Sequence, residues 1–288
     1  MKRSYEKYVI TLGGGGSRGL SHIGVLRIIE KIGLPESIIG CSIGAIVGAL
    51  FAIYKDSNEV QKKIEIIIES EEFKKFKLEK AVNIFSSYIM ITALYTKRYL
   101  LSQEKVKVLL AKVIPEDLMF EDLQIPLKLA VFDLKSGKQE FINKGKVLDA
   151  VVASSAIPGV VEPLEINDKI YVDGGISGSI PYYILNEKKK NIVVNVGYYP
   201  ENYEQNNMRS GLQIFYRSLE WQLYFYEMLT EKMLKESNKM LILSPEVNKF
   251  QLKDFDKYNE IISLGELESI RRKTDIEKFL KKKLFGIF

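Results

Sequence analysis

Histidine is almost missing from this chain: 288 residues hold one, His22. Cysteine is as scarce, with Cys41 alone. A lone cysteine cannot build an internal disulfide framework, and it suits a reducing compartment, so a cytoplasmic location is expected. With one residue of each kind there is no His/Cys cluster to suggest a metal site, and neither a metal nor a cofactor is expected. Long apolar runs are missing too. Between the charged start, Met1 to Lys7, and the glycines that follow, only Tyr8-Val9-Ile10-Thr11-Leu12 is apolar. An export signal needs a longer hydrophobic region, of roughly 7–15 residues. Ser37 to Tyr54 carries no charge, but Gly40, Gly44 and Gly48 interrupt it and it is short of the ~20 residues of a membrane span. It reads as a buried strand followed by a buried helix, with the three glycines lining one helix face.

An excess of one charge is missing from most of the chain. The net charge is +5. Arg271, Arg272, Lys273, Lys278, Lys281, Lys282 and Lys283, against Asp275 and Glu277, account for all of it. The remainder is balanced, which argues against a nucleic-acid-binding body. Hydrophobic residues at 46% and charged residues at 27% fit a globular protein with a full core.

What the chain does have is glycine in two particular places. Tyr8 to Leu12 reads as a first strand, stopped by Gly13-Gly14-Gly15-Gly16, and a helix follows from about Ser17 to Lys31. Ser37-Ile38-Ile39 leads into Gly40-Cys41-Ser42-Ile43-Gly44 and then a small-residue helix, Ala45 to Tyr54. Strand–helix–strand–helix implies a parallel sheet with helices against it. Residues 58 to 114 read as helical; within them Ala81 to Thr96 is uncharged, either a packed helical layer or an apolar cap that receives an acyl chain. Strands return at Leu127 to Phe132, Gln139 to Ile142, Leu164 to Ile166, Ile170 to Val172, Ile192 to Val196 and Met240 to Leu243. Val147 to Ala156 is a short helix, and about Asn206 to Ser237 a long one. A single domain is expected, with a core over residues 8–184 and a C-terminal helical extension with one or two strands over 185–288.

Gly40-x-Ser42-x-Gly44 between a strand and a helix is the pattern of a nucleophile elbow: the serine sits in a strained turn, and flanking glycines remove the Cβ atoms that would clash. A serine nucleophile needs a base and oxyanion donors. No histidine follows Ser42, so the serine–acid–histidine order cannot be built, and His22 reads as a packing residue. The base is then a carboxylate or a lysine. Asp173 in Tyr171-Val172-Asp173-Gly174-Gly175 ends a strand beside two glycines; Asp133 is a second strand-end carboxylate, read as structural. The glycine loop before a helix is an anion hole. It also matches a dinucleotide fingerprint in Gly14-x-Gly16-x-x-Gly19, which keeps nucleotide binding as an alternative. However, Glu36 precedes the second strand instead of ending it, and Arg18-Gly19-Leu20 is not a Walker ending.

Gly14-Gly15-Gly16-Ser17-Arg18-Gly19, Gly40-Cys41-Ser42-Ile43-Gly44 and Asp173-Gly174-Gly175, in this order, resemble the signatures of the patatin-like phospholipases. Ala153-Ser154-Ser155-Ala156-Ile157-Pro158-Gly159 and Phe132-Asp133-Leu134-Lys135-Ser136-Gly137 resemble further stretches of bacterial members. The resemblance covers about Tyr8 to Pro181. It implies a three-layer α/β/α sandwich with a mostly parallel central sheet, and hydrolysis of lipid or fatty-acyl esters through an acyl-enzyme. In that scheme Ser42 is the nucleophile and Asp173 the proton acceptor. Gly14, Gly15 and Gly16 form the oxyanion hole, supported by Arg18, Gly19, Gly40, Gly44, Gly174 and Gly175. A catalytically idle scaffold is the other alternative. One departure stands out: members usually carry asparagine a few residues after Asp-Gly-Gly, whereas Ile176-Ser177-Gly178-Ser179 precedes Pro181 here.

The tail has its own pattern. Ile276, Phe279, Leu280, Leu284 and Ile287 fall on one helical face with Lys278, Lys281 and Lys282 off it. Residues 271–288 are expected either to dock on the protein or to make peripheral membrane contact.

Overall fold

In the computed structural model, which describes residues 5–76, 99–181, 184, 188–197 and 211–281, the stretch from Tyr8 to Tyr54 follows the predicted alternation. Strand β1 is Tyr8–Leu12, helix α1 Ser21–Ile32, β2 Ser37–Cys41 and α2 Ile43–Tyr54. The turn from Gly16 to Leu20 is a 3-10 helix where the periodicity predicts α-helix. Its second residue is tied sideways: Ser17 N–H donates to Leu252 O at 2.9 Å and Ser17 Oγ to Gln251 O at 2.7 Å. Helices α3 (Ser57–Glu69), α4 (Glu71–Phe76) and α5 (Gln103–Ala111) follow. Asp56 caps α3 by accepting the N–H groups of Asn58 and Glu59. The apolar stretch Ala81 to Thr96 lies outside the described residues.

Strands β3 (Leu127–Asp133) and β4 (Lys138–Ile142) come next, then α6 (Val147–Ser154), β5 (Leu164–Ile166) and β6 (Lys169–Asp173). Asn167 and Asp168, both at positive φ, make the two-residue hairpin that joins β5 to β6. The last elements are β7 (Lys190–Val194), α7 (Gly211–Lys235), β8 (Met240–Leu243), α8 (Tyr258–Arg271) and α9 (Lys273–Leu280).

All eight strands share one sheet, ordered β5-β6-β3-β2-β1-β7-β8, with β4 also paired to β3. Pairing is parallel through β3-β2-β1-β7-β8 and antiparallel around β4, β5 and β6. Strand alternation divides the side chains between two faces. Ile10, Leu12, Ile38, Leu129, Ile192 and Val194 pack with residues of α1, α2, α3 and α8 in the larger core. Val9, Ile39, Val193 and Ile242 face the other way, against Ile180, Ile184 and Leu234 of α7. The result is a helix–sheet–helix sandwich, the mixed α/β architecture expected.

Two glycines let helices touch backbone to backbone. A Cβ on Gly24 of α1 would lie 2.0 Å from Ile262 O, and one on Gly265 of α8 only 1.9 Å from Ser21 O. The tail helix α9 turns Ile276 and Leu280 fully into the main core, and Lys190 Nζ donates to Phe279 O at 2.5 Å. As far as Leu280, then, the apolar face of the tail packs on the protein; Leu284 and Ile287 lie outside the described residues. Helix α7 is arranged the opposite way. Glu220, Glu227 and Thr230 point inward with Leu234, while Phe215, Trp221, Phe225, Leu229 and Met233 are exposed. Among the described residues no helix is long and apolar enough to cross a membrane.

Candidate active site

The connection from β2 to α2 turns on one residue. Ser42 has φ 55° and ψ −124°, a conformation that L-residues avoid at a cost of about 1–3 kcal/mol. The turn leaves no room for side chains beside it: a Cβ on Gly40 would come within 2.6 Å of Gly44 O, and one on Gly44 within 2.1 Å of Leu12 O. Hydrogen bonds hold the strained residue in place. Its N–H donates to Ser154 Oγ at 3.2 Å, and that hydroxyl donates to Ala130 O at 2.7 Å. Ser155 Oγ donates to Ser42 O at 3.4 Å, and Ala45 N–H to the same carbonyl at 2.8 Å. The sequence marks the Ser154-Ser155 pair by resemblance only; its contact with the elbow is a long-range fact with no local signal.

Ser42 Oγ donates to Asp173 Oδ2 at 2.6 Å. The two meet because β2 and β6 share one edge of β3. β2 runs parallel to β3 as far as Cys41 opposite Ala130, and β6 runs antiparallel down to Asp173 opposite Val131. Since β4 occupies the other edge along Leu129 to Asp133, the two strands end head to head. Asp173 is 6% exposed. Its second oxygen accepts Gly175 N–H at 2.7 Å, and its own N–H donates to Ala156 O at 2.9 Å. Gly174 allows this fit, since a Cβ there would be 2.7 Å from Ala130 O. Burial pushes the Asp173 carboxyl up to about 6, against the opposing pull of the Ser42 hydroxyl and Gly175 N–H.

The glycine loop runs alongside. A Cβ on Gly14 would be 3.3 Å from Ser42 Cβ. The expected donors divide: Gly14 N–H is committed to Ser179 O at 2.8 Å, while among the described residues no hydrogen bond is made by the N–H groups of Gly15 and Gly16. Gly15 and Gly16 both have positive φ, and a Cβ on Gly16 would be 2.5 Å from Leu252 O. Gly19 gives way to Ile43, whose side chain a Cβ would strike at 2.1 Å. Arg18 is buried behind the loop, its Nε donating to Phe250 O at 2.7 Å and its Nη1 lying 3.4 Å from Gly197 O. It ties the loop to the C-terminal segment. For a bound pyrophosphate, the N–H groups of Gly14 and Ser17 are already taken.

His22 lies apart from the Ser42–Asp173 hydrogen bond. It is fully buried, its Nε2–H donating to Gly13 O at 2.8 Å, and burial pushes its pKa down to about 4. Asp133 holds a turn: Oδ1 accepts the N–H groups of Lys135 and Ile170. The Cys41 thiol is buried and pushed well up, first by desolvation and then by Asp173 and Glu227. Among the described residues no group of acids, histidine or cysteine could hold a metal ion.

Residues that the sequence did not mark support the Asp173 loop. Gln139 of β4 donates Nε2 to Ser177 Oγ at 2.6 Å, and Glu227 of α7 accepts both the N–H and the hydroxyl of Ser179. Neither partner lies near the loop in sequence, and neither belongs to a motif.

The family profile described as "Patatin-like phospholipase" matches residues 10–186, more than half of the chain, a span that includes the glycine loop, Ser42 and Asp173. The chain belongs to the patatin-like phospholipase family. Among curated proteins, this patatin-like chain is 28% identical over 242 residues to "Lysophospholipase NTE1" of Cryptococcus neoformans, covering 82% of the chain and 14% of that protein. It is 24% identical over 280 residues to "Patatin-like phospholipase domain-containing protein 6" of Mus musculus, covering 89% of the chain and 20% of the relative. The chain thus spans a fifth or less of the length of these two relatives. Of solved structures, VipD from Legionella pneumophila aligns with a TM-score of 0.49 at 12% identity, over 94% of this chain and 67% of that one. The ExoU–SpcU complex of Pseudomonas aeruginosa aligns at 0.47 and 14%, over 97% and 53%.

Proposed function

We propose that this chain is a serine lipid acyl hydrolase, of phospholipase A or carboxylesterase type, working through a Ser42–Asp173 dyad. The observation that carries this reading is the 2.6 Å hydrogen bond from the hydroxyl of a strained strand–helix elbow to a buried carboxylate. Ser42 Oγ attacks the ester carbonyl carbon as its proton passes to Asp173 Oδ2. The carbonyl oxygen becomes an oxyanion beside the glycine loop, where the uncommitted N–H groups of Gly15 and Gly16 are the donors and Gly14 keeps the loop in place. Collapse expels the alkoxide, which takes the proton from Asp173 and leaves an acyl-Ser42 ester. Water then attacks that ester, giving its proton to Asp173. The second tetrahedral species collapses to the fatty acid, and the proton returns to Ser42. The scheme uses only groups of this chain and water.

The lipid part of the proposal rests on the family and on the names of the relatives, one of them a lysophospholipase. Contact with a lipid surface also needs an apolar face. Through Leu280 the tail's face is buried in the core, whereas that of α7 points outward.

A short-chain p-nitrophenyl ester tests the dyad. Ser42→Ala and Asp173→Asn should each lose nearly all turnover while remaining folded, because the two residues act as a unit. Turnover that survives in Asp173→Asn but disappears in His22→Gln would sink the assignment. Wild type inert to esters and to a fluorophosphonate would leave the idle scaffold as the better reading.

A further inference from the structure

Glu227 is the strongest polar feature that the dyad leaves unexplained. It sits on the inner side of α7, 4% exposed, in a helix whose outward neighbours Phe225, Met228 and Leu229 are apolar. Burying a carboxyl and exposing three large hydrophobic side chains is the costly way round, and it persists where donors converge on the acid. Here they converge from a single residue: Ser179 N–H donates to Oε2 at 2.9 Å, and the Ser179 hydroxyl donates to Oε1. Ser179 in turn offers its carbonyl to Gly14 N–H at 2.8 Å. One residue earlier the chain is pinned again. Gly178 has φ 102°, and a Cβ there would lie 2.7 Å from the Tyr226 ring.

The segment held in this way begins at Asp173 and ends against the glycine loop. Two contacts from one carboxyl therefore fix the chain that links the proton acceptor to the oxyanion donors.

We propose that Glu227 is a positioning residue of the ester-hydrolysing site: by gripping Ser179 it holds Gly14, and so aims the Gly15 and Gly16 N–H groups at the developing oxyanion. The inference rests on the hydrolase reading above. It places the influence of α7 on the transition state, where an oxyanion donor acts, and not on the binding of the ground-state ester.

The test is Glu227→Gln, which keeps the shape and one acceptor oxygen but gives Ser179 an amide nitrogen that cannot accept. Sites are counted with a fluorophosphonate, and kcat and KM are measured on a soluble p-nitrophenyl ester. Inhibition by a trifluoromethyl ketone, whose adduct with Ser42 carries the oxyanion, gives the third readout. Expected are a loss of about 10- to 100-fold in kcat per titrated site, a KM within about twofold, and a ketone Ki raised in step with the fall in kcat/KM. Adding Ser179→Ala to Glu227→Gln should cost little more than Glu227→Gln alone, as for residues in one network. If Glu227→Gln does not fold, Ser179→Ala alone carries the same measurements, with a smaller loss of the same kind. Unchanged kcat per site and unchanged ketone inhibition, with only a lower Tm, would overturn the proposal. Amide exchange of residues 13–16 reports the positioning without any ester: it should quicken in Glu227→Gln, and unchanged exchange would equally overturn the inference. Should wild type hydrolyse no ester, the hydrolase reading fails, while exchange still decides whether Glu227 holds the loop.

Discussion

Cys41 and Asp173 lie opposite adjacent residues on one edge of β3, Cys41 facing Ala130 and Asp173 facing Val131. Two strands running toward each other along a shared edge must end where they meet, and the residue after Cys41 is Ser42. The sheet thus delivers Ser42 and Asp173, the proposed nucleophile and base, to the same point from sequence positions 131 residues apart. Rigid strand ends are a better platform for a 2.6 Å contact than mobile loops, because the backbone ladders on both sides fix the Cα positions.

The first prediction is a pH profile. In the proposed mechanism attack needs Asp173 as the carboxylate, and burial holds that carboxyl up to about 6. Below this value the group is protonated and cannot accept the serine proton, so kcat/KM should rise with pH through about 6 and then level off. His22, pushed down to about 4, is already neutral there and cannot supply the limb. The limb should therefore persist in His22→Gln. A limb that moved with His22, or one near the ordinary carboxylate range, would contradict the assignment.

A second prediction concerns stability, with the opposite sign. The carboxyl's folded value of about 6 lies above its unfolded value of 3.8, so between these the folded state binds more protons. Stability from this group is then greatest at low pH and is lost as pH rises through that window, by about 3 kcal/mol. Asp173→Asn removes the charge and keeps an oxygen that can accept Gly175 N–H. At pH 8 the variant should melt above wild type, with the gap closing as pH falls toward 4. Thermal melts of both proteins across pH 4–8 test this; a variant less stable than wild type at pH 8 would count against a buried, disfavoured charge.

Packing gives the third. Gly265→Ala would drive a methyl group to 1.9 Å from Ser21 O, a backbone atom that cannot rotate away. Helices α1 and α8 must separate, and a loss of about 2–4 kcal/mol is expected, with a matching fall in denaturation midpoint. Gly211→Ala, where a Cβ meets nothing within 4 Å, serves as the control and should be neutral or slightly stabilising. Equal effects at the two positions would mean that the close crossing does not carry the penalty.

Much of this architecture was legible from local pattern. β1, β2 and the elbow announce themselves because a buried parallel strand is a short apolar run and a sharp strand–helix turn demands glycine on both sides of Ser42. Asp173 was legible for the same reason: Gly174 and Gly175 clear space beside a strand end. What stayed hidden was cross-chain. Nothing near Gly14 says that its N–H is already spent on Ser179. Nothing near Glu227 says that its carboxyl faces inward either, since a glutamate in a helix normally reads as solvated. The apolar spacing of α7 has the same ambiguity, because periodicity identifies a face without saying what covers it. The tail illustrates the converse: the spacing of Ile276 and Leu280 defines one helical face, and only tertiary packing shows it docked.

The outward face of α7 gives the last prediction. Trp221 is the only tryptophan in the chain, 42% exposed, with the Arg217 guanidinium 5.1 Å from its ring centre and the Phe225 ring 6.1 Å away. Under the lipid hydrolase proposal this aromatic face is the surface expected to meet a lipid aggregate, since tryptophan and its neighbours suit the boundary between headgroups and acyl chains. Mixing the protein with phosphatidylglycerol/phosphatidylcholine vesicles should shift Trp221 emission to the blue and shield it from acrylamide. Each buried Phe or Leu side chain contributes about 2 kcal/mol, so Phe225→Glu with Leu229→Glu should weaken vesicle binding by at least about 100-fold. Hydrolysis of a soluble ester should be unaffected, because both side chains are exposed while Glu227, the residue of this helix that binds Ser179, is buried. Vesicle binding that leaves Trp221 fully open to acrylamide would assign the contact to another surface, and deleting residues 282–288 would then show whether the end of the tail supplies it.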